Sequence, residues 1–293
     1  MEDYRLKGMA LVAISPNVPE AVRLDELGWS NMRDSFEEMK HRARERQFDF
    51  PYLYAGDAEE VTKAYGPVPT PHVFVFDEQR RLRYVGAIDD SERVEKVQRH
   101  WLRVALDALL AGKEPSVTRT KVVGCSVKGS DKIPLNRGFL ARLAQEPVTL
   151  DAVDEAGLQR LRSGESSGKF RLVTFWATWC APCVAEFHEW VTTWRMYRHR
   201  EFELVTVSVN RLEERDRVLE FLRRQQASCR SLMFASADRE SLINAFDPAW
   251  TGAVPYFVLL DPEGRLLWRE TGSVDFLTLR RLIVRSVNER RPW

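Results

Sequence analysis

A chain of 293 residues with 44% hydrophobic and 30% charged side chains has the length of two ordinary domains and the composition of a soluble globular protein able to bury a core. Its net charge of +1 gives no electrostatic reason to expect nucleic acid or an anionic membrane as partner, and no apolar run approaches the ~20 residues that span a bilayer. Four cysteines are too few for a secreted disulfide framework, and only Cys180 and Cys183 stand at a chemically meaningful spacing.

At the N-terminus, acids precede a short apolar run from Met9 to Ile14, whereas an export signal needs a basic start, a longer apolar stretch and a cleavage site. As written, the chain reads as cytoplasmic. Met9–Ser15 reads as a strand, and Ser35 to Arg46 as a charged amphipathic helix capped by Ser30 or Asn31. Tyr52–Ala55 is a short strand, followed by a helix Asp57–Tyr65 begun by Asp57. His72–Asp77 and Leu82–Val85 are strands joined by a charged turn, and Asp89 to Ala111 is a long helix ended at Gly112. Residues 113–149 read as a connection of loops carrying Cys125, either a third redox thiol or a solvent-side or packed cysteine. Val122-Val-Gly-Cys125 has the spelling of a lipoprotein cleavage box, but no hydrophobic leader precedes it and it reads as linker.

The second half opens with helix Glu155–Arg162 and a Gly/Ser-rich loop, then the strand Leu172–Ala177. Val184 to Tyr197 has helical spacing, with Val184, Phe187, Val191, Trp194 and Met196 tending to one side. Cys180 therefore falls at a strand-to-helix turn, where free N–H groups and the helix dipole favour negative charge. A thiol so placed in a Cys-x-x-Cys pair has its pKa lowered from about 8.5 to roughly 3.5–7.5, and its partner can resolve a mixed disulfide. The competing reading is half of a zinc site, which would need a second Cys/His pair; Cys125 and Cys229 stand alone. Further along lie strand Phe202–Val209, charged helix Glu213–Gln226, strand Leu232–Ala235 and helix Arg239–Phe246. Strands Val254–Leu260 and Leu266–Arg269 and helix Val274–Val287 follow. Cys229, between helix and strand, reads as structural, and the basic segment Arg195–Arg200 as a solvated helix end.

The segment TFWATWCAPC, Thr174 to Cys183, resembles the active site of the thioredoxin-fold TlpA/ResA-like thiol–disulfide oxidoreductases, a likeness running over roughly 150–290. The stretch Thr251 to Asp261, TGAVPYFVLLD, resembles that family's cis-proline loop and the strand after it, which makes Pro255 the cis-proline candidate. Glu186 matches the family's acidic position. Roughly residues 4–127 resemble a truncated thiol-specific antioxidant (AhpC/TSA), redoxin-like domain through DSFEEMKHRARERQFDFPYLY, EEVTKAYG, TPHVFVFDEQRRLRYVGAIDD and TKVVGCSVK, with Thr70-Pro71 at the cis-proline position. The resemblance implies an α/β chain of two tandem thioredoxin-like domains, each a central mixed sheet flanked by helices: 1–112 incomplete, 113–149 linker, 150–293 catalytic. The first lacks its active-site strand and helix, and no cysteine precedes Cys125. Met9–Ser15 and His72–Asp77 are then expected to flank a missing central strand, with Thr120–Val127 as the nearest filler and an upstream start as the favoured explanation. Such a start would make the protein periplasmic or extracytoplasmic.

Cys180 is the expected nucleophile and Cys183 the resolving thiol; Pro182 stiffens the loop between them. By family analogy Pro255 brings the backbone before it, at Val254, to a substrate chain that pairs as a short strand. Trp179 offers a flat apolar contact. Glu186, about one turn from Cys183, is either a proton shuttle or an ordinary solvated glutamate. His188 falls on another face of the helix. The expected activity is exchange of disulfides with protein disulfides or dithiols, with a redox partner that regenerates the pair and with no cofactor or metal. The alternatives are a redox-linked binding module whose first domain recognises a partner, and a thiol peroxidase, whose Thr-x-x-Cys motif TWCAPC does not match.

Overall fold

A computed structural model describes residues 2–56, 59–164, 167–236 and 238–290. It divides into two compact units, Met1–Val22 with Asp34–Asn136, and Arg23–Arg33 with Arg137–Pro292.

The first unit holds three separate two-stranded ladders where a gapped single sheet was expected. Ala13–Ser15 pairs in parallel with Tyr52–Tyr54, Val73–Phe76 pairs antiparallel with Leu82–Gly86, and Pro69–Thr70 pairs with Cys125–Ser126. The segment proposed as filler does not enter a slot between the first two. Its first residue, with the two before it, lies along the outer edge of Leu82–Gly86, where the Val85 amide donates to Thr118 O at 3.0 Å and the Thr120 amide to Val85 O at 3.1 Å. Its Cys125–Ser126 pairs with Pro69–Thr70. The core is small, built on Tyr4, Val75, Tyr84, Ala105 and Leu106.

Several expected boundaries shift for local reasons. The helix Phe36–Glu45 is capped by Ser35, whose hydroxyl accepts from the Glu38 amide, and not by Ser30 or Asn31. The next helix runs Glu60–Tyr65; Asp57, expected to begin it, lies outside the described residues. The long helix from Asp89 reduces to a 3-10 turn Val94–Lys96 and a helix Trp101–Leu110. The stretch 113–149 is more than loop, since it contains the helix Ile133–Ala144.

The second unit is built on a six-stranded sheet ordered Leu266–Thr271, Tyr256–Leu260, Phe170–Trp176, Phe202–Ser208, Arg230–Phe234 and Asp151–Val153. The last four are mutually parallel; Tyr256–Leu260 runs antiparallel to Phe170–Trp176, and Leu266–Thr271 antiparallel to Tyr256–Leu260. The edge strand Asp151–Val153 had no expectation in the sequence. All seven residues of the central strand are buried, as a strand covered on both faces requires. Alternation sends Trp176 to one face, against Phe187 at 4.6 Å and Phe221 at 5.0 Å, and Phe175 to the other, against Phe246 at 4.8 Å and Trp250 at 4.3 Å. Arg171, fully buried in the same strand, is tolerated because it is paired: it donates to Glu203 at 2.6 Å, Leu161 O at 2.7 Å and Ser167 at 3.0 Å.

The helix after the cysteines, Ala181–Tyr197, is buried along more than one stripe: Cys183, Phe187, Trp190, Val191, Thr193 and Arg195 to Tyr197 all lie inside. Val184, expected on the apolar side, is instead exposed, and Trp194 is half-buried. The extra coverage comes from residues 23–33, which lie on this helix: Tyr197 donates its hydroxyl to Ser30 O at 2.7 Å and Arg200 donates to Gly28 O at 2.8 Å. The basic segment Arg195–Arg200 is accordingly not a solvated helix end. Arg195 is buried and donates to Gln226 O, Arg198 pairs with Glu146 at 2.8 Å, and Arg200 stacks on the Trp29 ring.

Candidate active site

Three strand ends meet where chemistry was expected. Tyr256 pairs with Phe175, so the residues just before it, Val254 and Pro255, stand beside the end of the central strand at Trp176 and Ala177. On the other side Trp176 pairs with Ser208, which brings Asn210 to the same end. The chain turns there through Ala177, Thr178 and Trp179 into the helix that begins at Ala181. Functional groups in open α/β sheets gather at such carboxyl ends.

Cys180 is the N-cap of that helix, and its Sγ accepts the Cys183 amide at 3.3 Å. Pro182 sits in the first turn, where a proline's missing N–H costs nothing. Cys180 and Cys183 form a disulfide with Sγ–Sγ 2.07 Å, so this is the oxidised form. Cys180 keeps 5% of its surface exposed and Cys183 none, which leaves Cys180 the one residue of the pair with any exposure. Trp179 is 53% exposed and Pro182 is also exposed, whereas Trp176 is fully buried and serves packing.

Both expected proline bonds, Val254-Pro255 and Thr70-Pro71, are cis. The loop ahead of Pro255 is held by a cluster that sequence reading missed. Tyr256 donates its hydroxyl to Asp247 at 2.6 Å, Arg269 donates to the same carboxylate oxygen at 3.1 Å, and the Trp250 indole donates to Ala253 O at 2.8 Å. The Trp250 and Tyr256 rings stack at 5.0 Å. Burial first, and then the carboxylate it donates to, push the Tyr256 hydroxyl far above the ordinary tyrosine range, so it remains a donor.

Glu186 lies on the helix three residues beyond Cys183, half-buried, with one carboxylate oxygen enclosed and without a hydrogen-bond partner among the described residues. His188 is exposed, its Nδ1 3.2 Å from Ala185 O, and takes no part in the site. Cys229 is buried, and that burial pushes its thiol up to about 12. Cys125 is exposed and belongs to the first unit. Among the described residues no group of three or more His, Cys, Asp or Glu is placed to hold a metal, and no helix is long and apolar enough to cross a membrane.

Asn210 was also missed. It is 3% exposed, accepts the Thr178 amide at 2.9 Å through Oδ1 and donates to the Thr178 hydroxyl at 2.8 Å through Nδ2. It lies two residues after the strand Phe202–Ser208, and what brings it to the site is the pairing of that strand with the cysteine strand.

The model of the AhpC/TSA family matches residues 147–269. Thiol-disulfide oxidoreductase ResA of Bacillus subtilis (strain 168) is 25% identical over 122 residues, which make up 42% of this chain and 64% of that protein. The chain thus spans just under two thirds of the length of this curated relative. Among solved structures, a hypothetical protein from Sinorhizobium meliloti 1021 is 33% identical, with a TM-score of 0.38, over 44% of this chain and 66% of that one. A thiol:disulfide interchange protein of the thioredoxin family from Chlorobium tepidum TLS is 25% identical, with a TM-score of 0.36, over 41% of this chain and 81% of that one.

Proposed function

We propose, of a chain whose residues 147–269 belong to the thioredoxin-fold AhpC/TSA family, that it is a thiol–disulfide oxidoreductase acting on protein disulfides or dithiols through Cys180 and Cys183. The observation that carries this is the pair itself: a disulfide at the N-terminus of a 17-residue helix, its first sulfur accepting a helix-end amide. The same free amides and dipole stabilise a Cys180 thiolate when the bond is reduced.

In the reducing direction the Cys180 thiolate attacks one sulfur of a substrate disulfide, forming a mixed disulfide and expelling the other substrate sulfur as a thiolate. Cys183 loses its proton and attacks Cys180 Sγ, which releases the second substrate thiolate and restores the Cys180–Cys183 bond. Two electrons pass to the substrate, and a separate dithiol partner must return them. Cys183 is fully enclosed, so its proton needs a nearby acceptor. Glu186, one turn along, with one enclosed oxygen that has no hydrogen-bond partner among the described residues, is the proposed one. Trp179 and Pro182, both exposed beside Cys180, and the Val254–Pro255 backbone at the adjoining strand end form the proposed substrate contact. The two resemblances to redoxin domains support tandem domains 1–112 and 150–293 around the segment 113–149.

Limiting alkylation of the reduced protein tests the assignment. Cys180 is expected to react first, with a midpoint below the free-thiol value of about 8.5. Preferential labelling of Cys183, or a Cys180 that titrates as a free thiol, overturns it.

A further inference from the structure

Among the described residues, a single buried side chain, that of Asn210, is bonded from outside to the turn that carries Cys180. Asn210 uses every part of its amide. Oδ1 accepts the Thr178 amide at 2.9 Å and the Ser208 hydroxyl at 3.0 Å, while Nδ2 donates to the Thr178 hydroxyl at 2.8 Å. The Asn210 backbone amide returns a bond to Ser208 Oγ at 3.2 Å. The Glu214 carboxyl is held below its ordinary range first of all by a hydrogen bond with the Asn210 side chain. Two bonds to a single residue fix that residue in both position and rotation, because amide and hydroxyl leave its backbone in different directions. At 3% exposure these bonds compete with little water. The neighbouring strand also holds the start of the turn, the Val209 amide donating to Trp176 O at 2.8 Å.

From this geometry we infer that Asn210 is a positioning residue for the dithiol: by clamping Thr178 it sets where the Cys180 sulfur stands relative to the first amides of the helix, and so sets the reactivity of that thiol. The chain of constraint is short. The Cys180 amide closes the turn onto Ala177 O at 3.2 Å, and Thr178 lies inside that turn. If Thr178 drifts, Cys180 leaves the place from which its sulfur accepts the Cys183 amide. Two of the bonds of this buried amide, one accepted and one donated, go to the same loop residue, Thr178. The consequence for disulfide exchange rests on the function proposed above; the effect on the Cys180 thiol does not.

The test uses the full chain with Asn210→Ala, Thr178→Val and Thr178→Ser. Two readouts are taken: the pH midpoint of Cys180 alkylation in the reduced protein, and the thiol–disulfide equilibrium of the pair against glutathione. Asn210→Ala is expected to raise the midpoint by about one pH unit and to shift the equilibrium about tenfold toward the disulfide, about 30 mV. Thr178→Val, which removes one bond at a half-exposed residue and spares the core, is expected to give a smaller shift of the same sign. Thr178→Ser, which keeps the hydroxyl, is expected to retain wild-type values. Asn210→Ala and Thr178→Val proteins that melt earlier yet keep the wild-type midpoint and equilibrium would show a purely structural role and overturn the inference. If Asn210→Ala does not fold, Thr178→Val against Thr178→Ser decides alone. A wild-type protein inert toward protein disulfides, with a midpoint that still moves in the variants, would sustain this inference and sink the proposed function.

Discussion

The two units contain the same hairpin, built twice. In each, a cis proline precedes a strand, an aspartate ends it, and an arginine four residues later closes the turn. The Arg81 amide donates to Asp77 at 2.9 Å and the Arg265 amide to Asp261 at 2.8 Å; in both, the arginine Nε reaches the second carboxylate oxygen. Each ladder shifts register at the matching step, Val75/Phe76 and Leu259/Leu260. Their surroundings differ. Tyr256–Leu260 is buried throughout, with the cysteine strand on its other edge, while Val73–Phe76 is only partly covered, with no strand on its other edge among the described residues. The same turn bonds thus occur in both settings, on a buried sheet and on a two-stranded ladder. A deep core, and the helix-end cysteine pair proposed as the reactive one, need the strand and helix that, among the described residues, the second unit alone shows.

The sharpest way to break this comparison is to move the chemistry. Cys180→Ser is expected to reduce exchange with a protein disulfide to background, and Cys125→Ser, in the unit without such a strand, to leave it at the wild-type rate. Loss of activity in Cys125→Ser would mean that both units share the reaction. Packing gives the next largest contrast. Leu260 and Phe76 occupy matching hairpin positions, the first fully buried and the second 40% exposed. In denaturant unfolding Leu260→Ala should cost about 2–5 kcal/mol, and Phe76→Ala under about 1 kcal/mol. Similar losses at both would mean that Phe76 is covered in solution.

The turns themselves come next. A methyl group on Gly264, at φ 82°, would lie 2.5 Å from the Ser163 backbone, so Gly264→Ala is expected to destabilise by about 2 kcal/mol or more. The matching turn aspartates give an acid-side test. Partial burial raises the Asp77 pKa, but bonds from the Arg81 amide and from the Arg83 and Arg81 side chains outweigh it and bring the carboxyl to about 2. A group depressed in the folded state contributes stability that is complete above the unfolded value of about 4 and is lost as pH falls through the folded value. Asp77→Asn should therefore be less stable than wild type at pH 7, with the gap closing between about pH 4 and pH 2. A gap that persists at pH 2 would assign the loss to something other than the ionised carboxylate.

What the sequence made legible follows the same division between local and long-range causes. Cys180 and Cys183 could be put at a strand-to-helix turn because the strand, the turn and the helix follow each other within a few residues. Pro255 and Pro71 were reached only through the resemblance to a cis-proline loop, and both bonds are cis. Five of the six strands in the sheet of the second unit were legible locally too, as short apolar runs with turn signals at their ends; the edge strand Asp151–Val153, only three residues long, was not. Asn210, Asp247 and Trp250 were not, because their roles depend on which strand lies beside which, and sequence spacing carries no sign of that. The coverage of the helix Ala181–Tyr197 by residues 23–33 was invisible too: nothing local in that segment distinguishes a strap from a loop. In the first unit, sheet counting misled because it assumed a single sheet, whereas the strands settle as independent pairs.

The smallest effect probes the one point where the two hairpins differ in their own backbone. Gly264 has its counterpart in Arg80, which adopts the same left-handed conformation at φ 60° and, like Gly264, donates its amide to the turn aspartate's carbonyl, here Asp77 O at 2.8 Å. In the second unit a glycine is required, since the Ser163 backbone occupies the space a Cβ would take. In the first unit Arg80 is exposed, so the space is open and the residue bears only the intrinsic cost of the left-handed region, about 1–2 kcal/mol for a non-glycine residue. Glycine removes that cost but gives back roughly 0.5–1 kcal/mol through the greater freedom of the unfolded chain. Arg80→Gly is therefore expected to stabilise the first unit by about 0–1.5 kcal/mol, read as a small rise in its denaturant midpoint at unchanged slope. A fall in that midpoint would mean that the Arg80 side chain, and not the shape of the turn, sustains the hairpin, and that the two hairpins are alike in outline but held by different forces.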